Sequence, residues 1–344
     1  MKKINKIFLL AIILCLFANM LGCAKRNVNV QKNDEHRRQS WLKYINWDAE
    51  RLSYSGKNIK IAVIDSGIDQ NIPELNCKID IETSVVKSNK ESDVKHGTAV
   101  ASIISAENHS DNQVNGIAHN ARIVSIDVTN QSEGIVEVGD LIKGIEKAIE
   151  YKVDIINISI GCLKDDEELK SVIKKAWDNN IIIVSSAGNY MENNVLYPSK
   201  YKETLSVGSL NKKGKIISPQ GDVDKKVVYF IGENIVSAIG NNEYAGCEGT
   251  SFSTAICTGL VALLLEKKND KKSVKEYIEN LDYSNGIDFI EIINNYKQEI
   301  SQNAETRTAY PEIAIVEQKG QSDPVVQINM DFLGIDLSKV PTQS

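Results

Sequence analysis

Three short segments of this 344-residue chain carry side chains suited to nucleophilic chemistry on a carbonyl. In Ala62-Val63-Ile64-Asp65-Ser66-Gly67 an aspartate ends a β-branched run and a glycine follows, which sets its carboxylate at the carboxyl end of a strand. In His96-Gly97-Thr98 an imidazole comes just before a helix start, and the glycine permits close approach, a setting that suits a general base. In Gly249-Thr250-Ser251-Phe252 a hydroxyl opens an apolar helix, whose free N–H groups and positive end suit an oxyanion. Each residue has a plainer reading. Asp65 could cap a turn, His96 could be a solvated imidazole, and Ser251 could be the helix N-cap. Taken singly, the three leave that choice open.

The elements that must position them follow from periodicity. Short apolar, β-branched runs at 59–64, 121–128, 153–160, 181–186 and 205–207 predict strands. Between them, 97–106, 138–151 and 165–179 have helical spacing, and 252–266 is an apolar helix ending in Lys267 and Lys268. Strands apolar on both faces and alternating with helices predict an α/β fold with a mainly parallel central sheet covered by helices on both faces. Ligands of such sheets gather at the carboxyl ends of the strands, where Asp65 falls.

In their order, the three segments resemble the active-site motifs of the subtilase family of serine proteases, and the resemblance runs over residues 41–298. It extends to Asn157-Ile158-Ser159-Ile160-Gly161, similar to the family's substrate-pairing strand. Ser186-Ala187-Gly188-Asn189 is similar to its oxyanion segment, and Tyr197-Pro198-Ser199 to its Tyr-Pro loop, where a cis proline is common. The resemblance implies a three-layer subtilisin-like fold. It implies Ser251 as nucleophile, His96 as general base and acid, Asp65 as its orienting carboxylate and Asn189 as oxyanion donor. Ser159, Ile160, Gly161 and Gly188 would line the substrate, which is a peptide or protein. Leu196 stands where the family commonly has a glycine on the floor of the S1 pocket, so small or medium P1 residues are expected over Phe or Tyr. No cofactor is needed for such chemistry.

The chain departs from the family pattern in several places. Ala99 replaces a second histidine, and Phe252-Ser253-Thr254-Ala255-Ile256 replaces Met-Ala-Ser-Pro-His after the serine. Only residues 24–40 separate Cys23 from Trp41, too few for the folding prodomain common in secreted members. Asn108, Asp111 and Asn115 make the loop 107–115 a candidate calcium cage, or simply a polar surface loop. Two rival classes remain in view: an inactive subtilase-fold binding module, against which the intact Asp65, His96, Ser251 and Asn189 argue, and another serine hydrolase. No G-x-S-x-G elbow occurs, and Ser171-Val172-Ile173-Lys174 has an S-x-x-K spacing without an S-D-N partner.

Composition narrows the field further. With 40 Lys plus Arg against 46 Asp plus Glu, the net charge of −6 argues against nucleic acid as a partner. The six cysteines form no CxxC pair, which excludes a zinc ribbon or a thioredoxin-like site. Lys2, Lys3 and Lys6 precede an apolar run at 7–18, too short to span a bilayer but suited to a signal peptide. Met20-Leu21-Gly22-Cys23 then resembles a bacterial lipobox. The expected organisation is a signal peptide over 1–22, lipidation at Cys23, a polar tether over 23–40, a peptidase domain over 41–298 and an extension over 299–344. That places the protein on the outer face of a bacterial cell membrane, with the membrane as a partner through its lipid anchor. A specialised role in trimming the leader of a secreted peptide is one expectation for substrate, and broad proteolysis another.

Overall fold

The computed structural model describes residues 39–86, 93–108, 114–129, 136–190, 194–221, 225–283 and 286–296, with the backbone of 12 and 13. Apart from that dipeptide, which pairs antiparallel with Val136–Glu137, the expected signal peptide, Cys23, residues 24–38 of the tether and the extension over 299–344 lie outside the described residues; Gln39 and Ser40, expected in the tether, belong to the folded domain, where Gln39 is buried.

Seven strands form one sheet: β1 (Lys60–Asp65), β2 (Ile79–Ser84), β3 (Arg122–Asp127), β4 (Ile155–Ile158), β5 (Ile182–Ser186), β6 (Thr204–Leu210) and β7 (Val227–Ile231). Their spatial order is β2-β3-β1-β4-β5-β6-β7, and every neighbouring pair is parallel. Alternation along the strands divides the core. Ile61, Val63, Ile155, Ile182, Val184 and Leu205 face one layer, which holds helices α1 (Lys95–Ser105), α4 (Thr250–Lys267) and α5 (Lys271–Glu279). Ala62, Ile64, Ile156, Ile158 and Ile183 face the other, which holds α2 (Val138–Glu150) and α3 (Glu167–Asp178). This is the expected three-layer α/β architecture. Helix α4 is buried from Phe252 to Leu265, as a helix apolar all round must be.

Four of the numbered strands go beyond the expected set, β7 at the far edge of the sheet among them. β2 lies at the sheet edge and alternates half-buried isoleucines with acidic and hydroxyl residues, so it lacks a continuous apolar run. An antiparallel hairpin, β8 (Ile235–Gly240) with β9 (Glu243–Cys247), precedes α4. Its turn residues Asn241 and Asn242 both have positive φ, a backbone that asparagine accepts more readily than most residues. α5 and a helical segment at 289–296 end the described residues, with Phe289, Ile293 and Tyr296 buried against the α4 layer.

β1 has β3 on one side and β4 on the other. The chain leaves β1 to build β2 and β3 on one flank and returns to build β4 to β7 on the other. A crevice at the carboxyl ends, where the strand order reverses, is the place for a site in such a sheet.

Candidate active site

Asp65 is the last residue of β1 and is fully buried. Its Oδ1 accepts the backbone N–H of Ser66 at 2.8 Å, and His96 Nδ1 lies 2.8 Å from Oδ1 and 3.0 Å from Oδ2. A buried carboxylate clasping Nδ1 makes that nitrogen the protonated one and leaves Nε2 as the basic face. His96 is the second residue of α1 rather than a residue ahead of the helix. Gly97 explains how helix and strand end come so close. A Cβ there would sit 2.1 Å from the carbonyl oxygen of Gly67, and its N–H donates to Ser66 Oγ at 3.2 Å.

Ser251 is the second residue of α4. The cap is Gly249, at φ 124°, so Ser251 is not the N-cap. Its hydroxyl donates to the carbonyl of Ser159 at 3.4 Å, and the Ser159 hydroxyl donates back to the carbonyl of Ser251 at 3.3 Å. The next side chain, Phe252, packs its ring 5.5 Å from that of His96. The end of β1, the first turn of α1, the segment after β4 and the first turn of α4 therefore meet in one place.

Asn189 follows β5, and its Oδ1 accepts both the backbone N–H (2.8 Å) and the hydroxyl (2.9 Å) of Thr250. Two donors on one oxygen fix the amide's orientation, with Nδ2 on the other side as a donor. Thr250 is a functional residue that the sequence reading missed, as are Ser66 and Phe252. Each adjoins a motif residue, and adjacency was the signal available. Asn157 is a fourth. Buried in β4, it accepts from Thr258 of α4 at 2.8 Å and donates to Ser159 Oγ at 3.2 Å, tying sheet, helix and cleft segment together.

Of the expected substrate-lining residues, Ser159 bonds to Ser251, Gly161 and Gly188 flank Leu196, and the Ile160 side chain is buried in the α2–α3 layer. Beyond Ile160 and Gly161, Cys162 exchanges two backbone hydrogen bonds with Tyr197, of 2.8 and 2.9 Å. Burial pushes the Cys162 thiol up to about 12, so it is inert near neutrality. The Tyr197–Pro198 peptide is cis. Leu196 is 7% exposed and lies between two glycines. A Cβ on Gly161 would meet Leu196 Cβ at 2.8 Å, and one on Gly188 would meet its Cγ at 3.0 Å. The Leu196 N–H donates to the carbonyl of Ala187 at 3.1 Å, which fixes the backbone there.

Of the expected calcium set, Asp111 lies outside the described residues and Asn108 is partly exposed. Asn115 Oδ1 and Glu74 Oε2 are buried oxygens without a hydrogen-bond partner among the described residues. Gln39 clasps the backbone of Asn115 through bonds of 2.6 and 2.9 Å, and the Glu74 carbonyl accepts from Glu107 at 2.8 Å. Orphaned hard oxygens of this kind have calcium-ligand chemistry. No group of three or more His, Cys, Asp or Glu able to hold a metal occurs among the described residues. Ser171 and Lys174 of the S-x-x-K spacing sit on the outer side of α3, where Lys174 pairs with Asp178, away from the crevice. Cys77, Cys162 and Cys257 are free thiols, and Cys257 is fully buried in α4.

The family model described as the subtilase family matches residues 56–312. Subtilisin E of Bacillus subtilis (strain 168) is 35% identical over 219 residues, 62% of this chain and 57% of that protein. The chain thus spans a little over half the length of such relatives. Among solved structures, the protease domain of PatA is similar with a TM-score of 0.64 and 25% identity, over 72% of this chain and 98% of that one. The prenylagaramide maturation protease PagA is similar with a TM-score of 0.60 and 27% identity, over 75% of this chain and 98% of that one.

Proposed function

The chain belongs to the subtilase family, and from that premise we propose that it is a serine endopeptidase with Ser251 as its nucleophile. The observation that carries this reading is the buried Asp65 carboxylate holding His96 Nδ1 within 3.0 Å, beside the first turn of α4. Ser251 Oγ attacks the scissile carbonyl carbon while its proton passes to His96 Nε2. Asp65 keeps the imidazole in the productive tautomer and stabilises the imidazolium. The oxyanion receives hydrogen bonds from Asn189 Nδ2 and the Ser251 N–H. Collapse breaks the C–N bond, His96 returns the proton to the leaving amine, and water then hydrolyses the acyl-enzyme by the same route. Residues 159–161 pair with the substrate backbone as an added strand. No step uses a metal; Asn115 and Glu74 are the residues that would hold a structural calcium.

The lipobox-like Met20-Leu21-Gly22-Cys23 supports a lipid-anchored enzyme on the outer face of the membrane. The similarity to a maturation protease supports a peptide precursor as substrate, ahead of broad proteolysis. One experiment addresses enzyme and anchor together: labelling of fractionated cells with a fluorophosphonate. The labelled protein is expected in the membrane fraction. Ser251→Ala should abolish the label, and Cys23→Ser should move it off the membrane. Persistent labelling of Ser251→Ala would show that another residue is the nucleophile.

A further inference from the structure

Lys225, two residues before β7, is 4% exposed, a rare place for an ammonium. Its Nζ donates to the carbonyl of Tyr201 at 2.8 Å, to the carbonyl of Thr204 at 2.6 Å and towards Thr204 Oγ1 at 3.4 Å. The Thr204 hydroxyl in turn reaches the carbonyls of Pro198 (3.0 Å), Ser199 (2.8 Å) and Tyr201 (2.7 Å). The turn 198–204 thus gathers its carbonyl oxygens around one hydroxyl and one cation. It begins at the Leu196–Tyr197 segment, and Lys200 N–H donates back to the carbonyl of Leu196 at 2.8 Å.

Such a cluster of oxygens repels itself unless a cation or donors sit within it. Burial, with Lys275 adding to it, pulls the ammonium down to about 7, against Glu279 beside it on α5 and Glu203 in the turn. A residue needed only to fill this space would not carry a charge that is costly to bury.

We propose that Lys225 is a positioning residue, a cation built into the chain that holds the turn 198–204 and, through it, the Leu196–Tyr197 wall of the crevice beside Ser251. This rests on the peptidase reading only for its kinetic readout. Lys225→Ala leaves the oxygen nest without its cation and leaves room for a small one. Because the triad is untouched, KM for a peptide substrate should rise about tenfold or more while kcat stays within about twofold. Added ethylammonium should restore KM, and tetramethylammonium at equal ionic strength should not. Thermal melting of the variant should show the same selectivity, a readout independent of catalysis. An unchanged KM in Lys225→Ala overturns the proposal, and so does a raised KM that ethylammonium fails to restore. Lys225→Met, which keeps the stem's volume, guards against simple misfolding. If neither variant folds with or without ethylammonium, Lys225 serves the core alone and the proposal fails. If the parent neither labels nor cleaves, the peptidase reading fails, and ammonium-selective melting still decides the role of Lys225.

Discussion

A single side chain governs the proposed specificity. Leu196 fills the gap between Gly161 and Gly188, the two places where a bare backbone would otherwise leave room. Its main chain is held by Ala187 on one side, and the following Tyr197 is held by Cys162 on the other. With the main chain held, the wall cannot shift as a whole, and packed walls do not yield to an extra ring. Ala or Ser at P1 should therefore be preferred over Phe or Tyr by about 10²-fold in kcat/KM, since a misfit of even one methylene is worth 10- to 200-fold. Leu196→Gly should open the pocket and raise cleavage after Phe. A peptide library run on both proteins checks this, and efficient cleavage after Phe by the parent would refute it. The placement of the candidate residues at this scale was largely readable from the sequence. Asp65 ends a strand, and His96 and Ser251 each fall in the first turn of a helix, a pattern that survives without coordinates. Thr250 was not readable, because its role depends on which Asn189 atom it meets. Lys225 was not either, since a lysine in a polar stretch gives no sign of being buried.

At the level of elements, legibility follows burial. β1, β4, β5 and α4 are covered on all sides, so their sequences are mainly apolar runs that show their type. β2 exposes alternate residues at the sheet edge, and α5 packs a narrow apolar face within a lysine-rich sequence, so neither stands out. The ends of helices follow local chemistry instead. α3 starts at Asp166, whose carboxylate accepts the N–H groups of Glu168 (3.0 Å) and Leu169 (2.8 Å). Asp166→Ala should cost about 1 kcal/mol of stability. α3 lies on the layer opposite α1 and α4, so the same change should leave kcat untouched. Urea unfolding alongside steady-state kinetics tests the pair of expectations, and a fall in kcat would show coupling between the two layers.

For the whole molecule, the decisive feature is a sheet in which every neighbouring pair is parallel and β1 sits between strands made later in the chain. Asp65 and Ser251 stand at opposite ends of that construction, and His96, Ser159 and Asn189 come from separate stretches between them. Local contacts dominate few of these pairings, and folds of this kind form slowly because long loops must close before any contact rewards them. Assembly order then acts as a safety catch. On the proposed reading, the hydroxyl of Ser251 has neither its base nor its oxyanion donor until α4 docks into its layer, and a half-made chain would be chemically harmless to itself and to its neighbours. For the proposed peptidase, cutting power would then come only with the compact fold that can resist it.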